Sequence, residues 1–126
     1  MIRDTWNTDI LAELAPAPGD PVIYKHRFSG FFETELDDAL TDLGVRTLIF
    51  TGCTTSVCVE STLRDAFFRD YRCVLVEDCV AEPIAHNAPR SNHDATVLLV
   101  NLLFGSVTNS TDLVNTLTAQ PAAAST

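Results

Sequence analysis

The sequence is poor in positive charge: 8 Lys and Arg stand against 17 Asp and Glu among 126 residues, a net charge of −9. Such a balance repels phosphate backbones, and no basic stripe is present to bind them, so no nucleic acid is expected as a partner. Long apolar runs are also missing. None approaches the roughly 20 residues needed to cross a bilayer, and no charged segment followed by an apolar stretch opens the chain, which argues against a membrane partner and for a cytoplasmic protein. The four cysteines, at 53, 58, 73 and 79, show neither CxxC nor a zinc-type spacing. A structural metal and a disulfide framework are therefore not expected, and all four thiols are expected to be reduced. No internal repeat is visible.

What is present is ordinary globular composition, 46% hydrophobic and 20% charged, in a length that suits one domain. That domain is expected over residues 1–118, with a frayed tail over 119–126. Met1 to Leu14 carries Trp6 and a weak helical pattern, broken by a proline-rich loop from Ala15 to Pro21. Val22 to Tyr24 reads as a short strand ending at Lys25-His26-Arg27, followed by an aromatic loop, Phe28 to Phe32, with Gly30 as its hinge. A helix is expected from Thr34, with Asp37 placed as in a capping box, an apolar stripe of Leu36, Ala39, Leu40 and Leu43, and Gly44 as its stop.

The most informative stretch runs from Thr47 to Phe67. Its apolar run (Leu48, Ile49, Phe50) ends at Thr51-Gly52, small polar residues follow, and apolar positions then recur at helical spacing through Val59, Leu63, Ala66 and Phe67. The pattern predicts a strand, a tight turn and a helix. Cys58 falls in the first turn of that helix, where unpaired N–H groups and the positive end of the dipole favour a thiolate. It is the candidate nucleophile; the competing reading is a small buried packing residue. Cys53 and Cys73 lie in apolar runs and read as core. Glu60/Arg64 and Asp65/Arg69 are spaced as exposed helical pairs.

A further apolar strand begins at Cys73 and ends at Glu77-Asp78-Cys79. A helix near Asn92 to Phe104 is apolar on most sides and is expected to be buried. A short strand at Ser106-Val107 and a final helix capped by Ser110 or Thr111 complete the pattern. Strands without alternation, each followed by a helix, predict an α/β fold: a three-layer, Rossmann-like parallel sheet with helices on both faces. Ligands of such sheets bind at the carboxyl ends of the strands, where Lys25 and the turn to Cys58 are both expected.

Val22-Ile-Tyr-Lys25-His-Arg-Phe-Ser-Gly-Phe31, followed 33 positions after the lysine by Cys58 within Phe50-Thr-Gly-Cys-Thr-Thr-Ser-Val-Cys58-Val-Glu-Ser-Thr-Leu-Arg-Asp65, resembles the isochorismatase-like cysteine hydrolases. Within them the likeness is to the ureidoacrylate amidohydrolase group, and it extends from about Trp6 to Leu117. The resemblance implies an amidohydrolase that cleaves a small amide, ureido or carbamoyl C–N bond through a thioester, without metal or organic cofactor. Cys58 is then the nucleophile and Lys25 the cation of an Asp–Lys–Cys triad. A cis peptide is implied at Cys53–Thr54, with the N–H groups of Thr54 and Cys58 forming an oxyanion hole.

The family's aspartate lies upstream of the lysine at the end of a central strand, and neither Asp4 nor Asp9 stands in that context. The chain is therefore expected to correspond to the C-terminal portion of the family fold. Asp78 is the in-chain substitute acid, against the simpler reading of a carboxylate capping the next turn, and an aspartate of a second chain is the other source. Phe31 is a candidate wall for a planar substrate, against plain core packing. Three rivals stand beside this reading: a Cys–His–Asp arrangement using His86 or His93 with Asp78, a redox pair of Cys58 and Cys53, and a catalytically incomplete subunit. The last would expose strand edges, which recruit other chains, and a homo-oligomer is expected.

Overall fold

The computed structural model describes residues 10–84, 87 and 91–119. Trp6, Asp4, Asp9, His86 and the tail beyond Ala119 lie outside them. The elements are α1 (Leu36–Asp42), β1 (Thr47–Cys53), α2 (Glu60–Phe67), β2 (Arg72–Ala81), α3 (Asn92–Leu99), β3 (Ser106–Thr108) and α4 (Ser110–Ala119). π-helical turns lead into α2 (Thr55–Val59) and out of α3 (Val100–Phe104). The three strands form a parallel sheet in the order β1-β2-β3, flanked by helices, as the alternation of apolar runs and helical patterns predicted.

The core forms where α2 lies on the sheet. Leu63, Ala66 and Leu75 are fully buried, joined by Phe31, Val59, Cys73, Val80 and Val100. Each buried aliphatic side chain of this kind is worth about 1.5–3 kcal/mol relative to exposure. Gly44 ends α1 as expected, in the left-handed region at φ 66°, with its N–H on Thr41 O (2.9 Å) and that of Val45 on Leu40 O (3.4 Å). Asp37 forms no capping box. Its carboxylate takes the Tyr71 hydroxyl (3.0 Å) and Arg69 Nε (3.4 Å), while the Thr34 hydroxyl accepts the Leu36 N–H (3.3 Å).

Four expectations are corrected. Val22 to Tyr24 is not a strand: the sheet of the described residues consists of β1, β2 and β3, with β1 at one side. Cys53 is exposed, since β1 is covered only partly and its last residues run out beyond the core. β2 continues past Cys79 to Ala81. The helix from Asn92 is not buried: Thr96 and Val100 face the core, while Leu98, Leu102 and Leu103 are more than half exposed.

The register of β2 decides where the site forms. Phe50 pairs with Leu75, but Gly52 pairs with Val80, so β2 bulges between these points. The bulge frees residues 77–79 from β1, and the strand then returns to place Ala81 beside Cys53. Glu82 consequently stands next to the turn that begins at Thr54.

Gly105 lets the chain pass tightly from the π-helical turn into β3. A Cβ there would lie 2.3 Å from the Cys73 carbonyl oxygen, which is backbone and has no room to give. Gly105→Ala should destabilise the fold by about 1–3 kcal/mol, the usual cost of overpacking, read as a lower urea midpoint with an unchanged slope.

Candidate active site

The chain leaves β1 through a cis peptide bond between Cys53 and Thr54, with Gly52 in the positive-φ region (φ 107°) just ahead of it. Thr54 is extended, and its carbonyl accepts the N–H groups of Val57 and Val59, both at 3.2 Å. Cys58 lies within this π-helical turn, half-buried and free, immediately before α2. The strand-turn-helix pattern therefore puts the thiol at the carboxyl end of a parallel strand and at the start of a helix.

Two chains of polar contacts hold the turn. On one side, the Cys58 carbonyl accepts the Thr62 hydroxyl (2.7 Å), whose oxygen accepts the Gly30 N–H (2.9 Å). The aromatic loop is thus tied to the peptide unit of Cys58, the candidate nucleophile. The Ser29 hydroxyl donates to Asp65, and accepts the Phe31 N–H at 3.1 Å. A Cβ at Gly30 would come within 3.0 Å of Leu36 Cδ2 and 3.2 Å of Thr62 Cγ2, so a larger residue there would have to push both side chains back by a few tenths of an ångström.

On the other side, Glu82 accepts the Ser56 N–H (2.9 Å) on one oxygen, and the Ser56 hydroxyl (2.7 Å) and Asn92 Nδ2 (3.3 Å) on the other. Burial works to raise the Glu82 carboxyl. The hydrogen bonds from Ser56 and Asn92, with the neighbouring His93, outweigh it and hold the group below its ordinary value. His93 Nδ1 lies 3.1 Å from the hydroxyl of fully buried Thr55. Further along, Glu60 joins two helices: Arg64 donates to one oxygen (Nε, 2.8 Å) and the buried Thr96 hydroxyl to the other (2.5 Å).

The other candidates fall elsewhere. Lys25 is exposed and donates to the Arg27 carbonyl at 3.0 Å, within its own loop, with no bond to Cys58. Its expected place depended on a strand at Val22 to Tyr24, which is not formed. Asp78 sits in the β2 bulge and holds the start of α4, taking the Ser110 N–H (2.7 Å) and hydroxyl (2.5 Å) on its two oxygens. The Ser110 hydroxyl, then the Ser110 N–H, lower its pKa. The capping role weighed from the sequence is the one these contacts describe.

Phe31 is a core residue rather than an open wall: it is 6% exposed, with the Arg69 guanidinium 4.7 Å over its ring and Tyr71 6.1 Å away. Its neighbours Phe28 and Phe32 are exposed. Glu82, Asn92 and Ser56 were not singled out in the sequence. The alternation of residues identifies no partner across a bulged register, and only Glu82's place just past an apolar strand hinted at the site edge. Among the described residues no group of three His, Cys, Asp or Glu side chains converges as metal ligands would. A hollow lined by Asp37, Arg46, Arg69 and Tyr71 lies before the amino ends of β1 and β2, away from the Cys58 turn.

Two outcomes follow from these environments. Burial pushes the Cys73 thiol up to about 11, so brief alkylation of folded protein at about pH 8 should label Cys53 and Cys79 but spare Cys73, as counted by peptide mass spectrometry. The lowered pKa of Asp78 means that its ionised form favours the fold above the ordinary carboxylate range and that this contribution is lost as pH falls. From about pH 7 to about pH 3 the urea midpoint of the parent should therefore drop further than that of Asp78→Ala.

Comparison with known proteins places this geometry in context. The isochorismatase domain matches residues 1–112. The chain is 42% identical to the ureidoacrylate amidohydrolase RutB of Pantoea ananatis over 98% of its own length and 49% of that protein's. It spans about half the length of the curated relatives it matches. A crystal structure of a cysteine hydrolase from Pseudomonas syringae superimposes with a TM-score of 0.83 at 28% identity, over 93% of this chain and 58% of that one. The N-carbamoylsarcosine amidase of Thermoplasma acidophilum does so with a TM-score of 0.69 at 33% identity, over 81% and 55%.

Proposed function

The chain belongs to the isochorismatase family, and from that premise we propose that it carries the nucleophilic half of a cysteine amidohydrolase acting on a small amide, ureido or carbamoyl compound. The observation that carries this reading is the location of Cys58, on the turn between a parallel strand and the helix that follows it. The named activities of its relatives, ureidoacrylate amidohydrolase and N-carbamoylsarcosine amidase, both concern C–N bonds of small carbonyl compounds and suggest the substrate class.

In the proposed reaction the Cys58 thiolate attacks the carbonyl carbon, forming the C–S bond as the carbonyl π pair moves to oxygen. Backbone N–H groups of Thr54 and Cys58 hold that oxyanion, a stabilisation of about 3–4 kcal/mol per donor. Collapse expels the nitrogen, which takes a proton as the C–N bond breaks, and leaves a thioester. Water then adds and the C–S bond breaks, returning the thiolate. Lys25 serves as the cation that favours the thiolate, which requires its ammonium to leave the Arg27 carbonyl and the 22–27 segment to close on the turn.

The proton carrier is the open part of the scheme. Asp78 is engaged by Ser110 on both oxygens, so it can act only by giving up the α4 cap. A second reading draws on the same fact: the subunit is catalytically incomplete alone and receives its carboxylate from another chain. The outer edge of β1, unpaired among the described residues, favours it, because free backbone groups recruit a further strand. Exposed Leu98, Leu102 and Leu103 supply apolar surface for association of copies.

Ammonia release from a panel of ureido, carbamoyl and simple amide compounds, with Cys58→Ala as the blank, tests the proposal. Turnover that vanishes in Cys58→Ala and falls about 10²-fold or more in Lys25→Ala is expected. Turnover at the parent rate in Cys58→Ala would refute the mechanism. Folded protein without turnover, whose Cys58 still alkylates at neutral pH, would support the incomplete subunit.

A further inference from the structure

We propose that Glu82 is a positioning residue for Cys58, acting as a carboxylate clamp on the turn that carries the nucleophile; the proposal rests on the reading of Cys58 as nucleophile. The geometry is specific. Ser56 lies two residues before Cys58 and two after the cis bond, and Glu82 takes both its N–H and its hydroxyl, one on each carboxylate oxygen. A two-point contact of this kind fixes the orientation of a peptide unit as well as its distance. Asn92, from the first turn of α3, donates to the same carboxylate and closes a bridge between β2, the turn and α3. The Thr55–His93 contact ties the adjoining residue to the next position of α3.

Nothing on the turn itself could do this. A π-helical turn bonds at wider spacing than an α-helix, and its first N–H groups have no partner one turn back. An anion at that end satisfies one of them and opposes the positive end of the helix. By engaging the Ser56 N–H, the clamp holds residues 55–57 in place and leaves the peptide units of Thr54 and Cys58 on either side of it. A misplacement of about 1 Å in such a group can cost about 10²-fold in rate.

Glu82 also places a negative charge on the turn that carries the thiol, and the two effects have opposite signs. A residue acting only through its charge would disfavour the thiolate, so neutralising it would speed the reaction of Cys58 with an alkylating agent. Acting as a clamp, its loss loosens the turn and slows that reaction. The sign of the change separates the two roles, and it does so without any knowledge of the substrate.

The experiment is the pseudo-first-order alkylation of Cys58 by iodoacetamide at neutral pH, followed by peptide mass spectrometry. It uses the parent chain, Glu82→Gln, Glu82→Asp and Ser56→Ala, with continued protection of buried Cys73 reporting an intact fold. Glu82→Gln should slow Cys58 alkylation about tenfold. Glu82→Asp, which keeps the charge but shortens the reach, should slow it as well, and Ser56→Ala should slow it while leaving Glu82 intact. The Glu82→Gln/Ser56→Ala pair should lose less than the sum of the single losses, because Ser56→Ala removes one of the two contacts that Glu82→Gln already weakens.

Where the parent turns over substrate, the clamp predicts a fall in kcat with KM within about twofold. Alkylation of Cys58 at the parent rate or faster in folded Glu82→Gln overturns the proposal. If that variant loses Cys73 protection, Ser56→Ala decides: an unchanged rate overturns the clamp and a slower one supports it. A parent without turnover on the substrate panel, combined with slower alkylation in the variants, would count against hydrolysis by this chain and leave the clamp standing.

Discussion

The packing of α2 onto the sheet is the constraint on which the rest of the structure depends. Leu63 and Ala66 have no exposed surface, and they lie in one cluster with Leu75 of β2 and Val100 beyond α3. Once α2 is seated in this way, the six residues that link it to β1 have no freedom to choose their course. They must turn sharply at the carboxyl end of β1, with Thr55 and Val59 buried and Cys58 half-buried between them. The position of Cys58 is thus a consequence of where Leu63, one turn later, is buried.

A turn made so abruptly cannot satisfy its own backbone, and the surrounding elements supply what it lacks. Glu82 comes from the end of β2, Asn92 and His93 from the start of α3, and Gly30 from the aromatic loop by way of the Thr62 hydroxyl. These contacts are all neutral or singly charged and lie at the rim of the core. They hold the turn by direction more than by strength, since a typical hydrogen bond contributes only about 0.5–1.5 kcal/mol net. Four of them converging on Thr55, Ser56 and Cys58 nevertheless specify one conformation where a few weak apolar contacts would not.

The parts of the fold that were legible in sequence share a local cause. Leu48, Ile49 and Phe50 form a strand because a continuous apolar run with branched and aromatic residues suits a pleated surface. Val59, Leu63 and Ala66 fall on one face because helical periodicity puts them there, and Gly44 ends α1 because it alone accepts the left-handed conformation without cost. Where the sequence misled, a local pattern met a distant condition. Val22 to Tyr24 has the residues of a strand but lies outside the three-stranded sheet, and the leucines between Leu98 and Leu103 read as buried although this segment turns Thr96 and Val100 to the core. Asp78 was readable as an acid or, more simply, as a cap, and only its contacts with Ser110 distinguish the two.

By itself, the sequence determined the class of the protein: an α/β chain with a strand, a tight turn and a helix around one cysteine, in a pattern specific enough to name a family. These are properties of neighbours along the chain, and periodicity and turn chemistry record them. Tertiary structure alone decided which side chains meet at that cysteine. The bulge in β2 shifts its register against β1, bringing Glu82 to Ser56 across 26 positions and sending Asp78 to Ser110 across 32. A shift of a few residues in a parallel pairing exchanges every partner, and no spacing in the sequence records it.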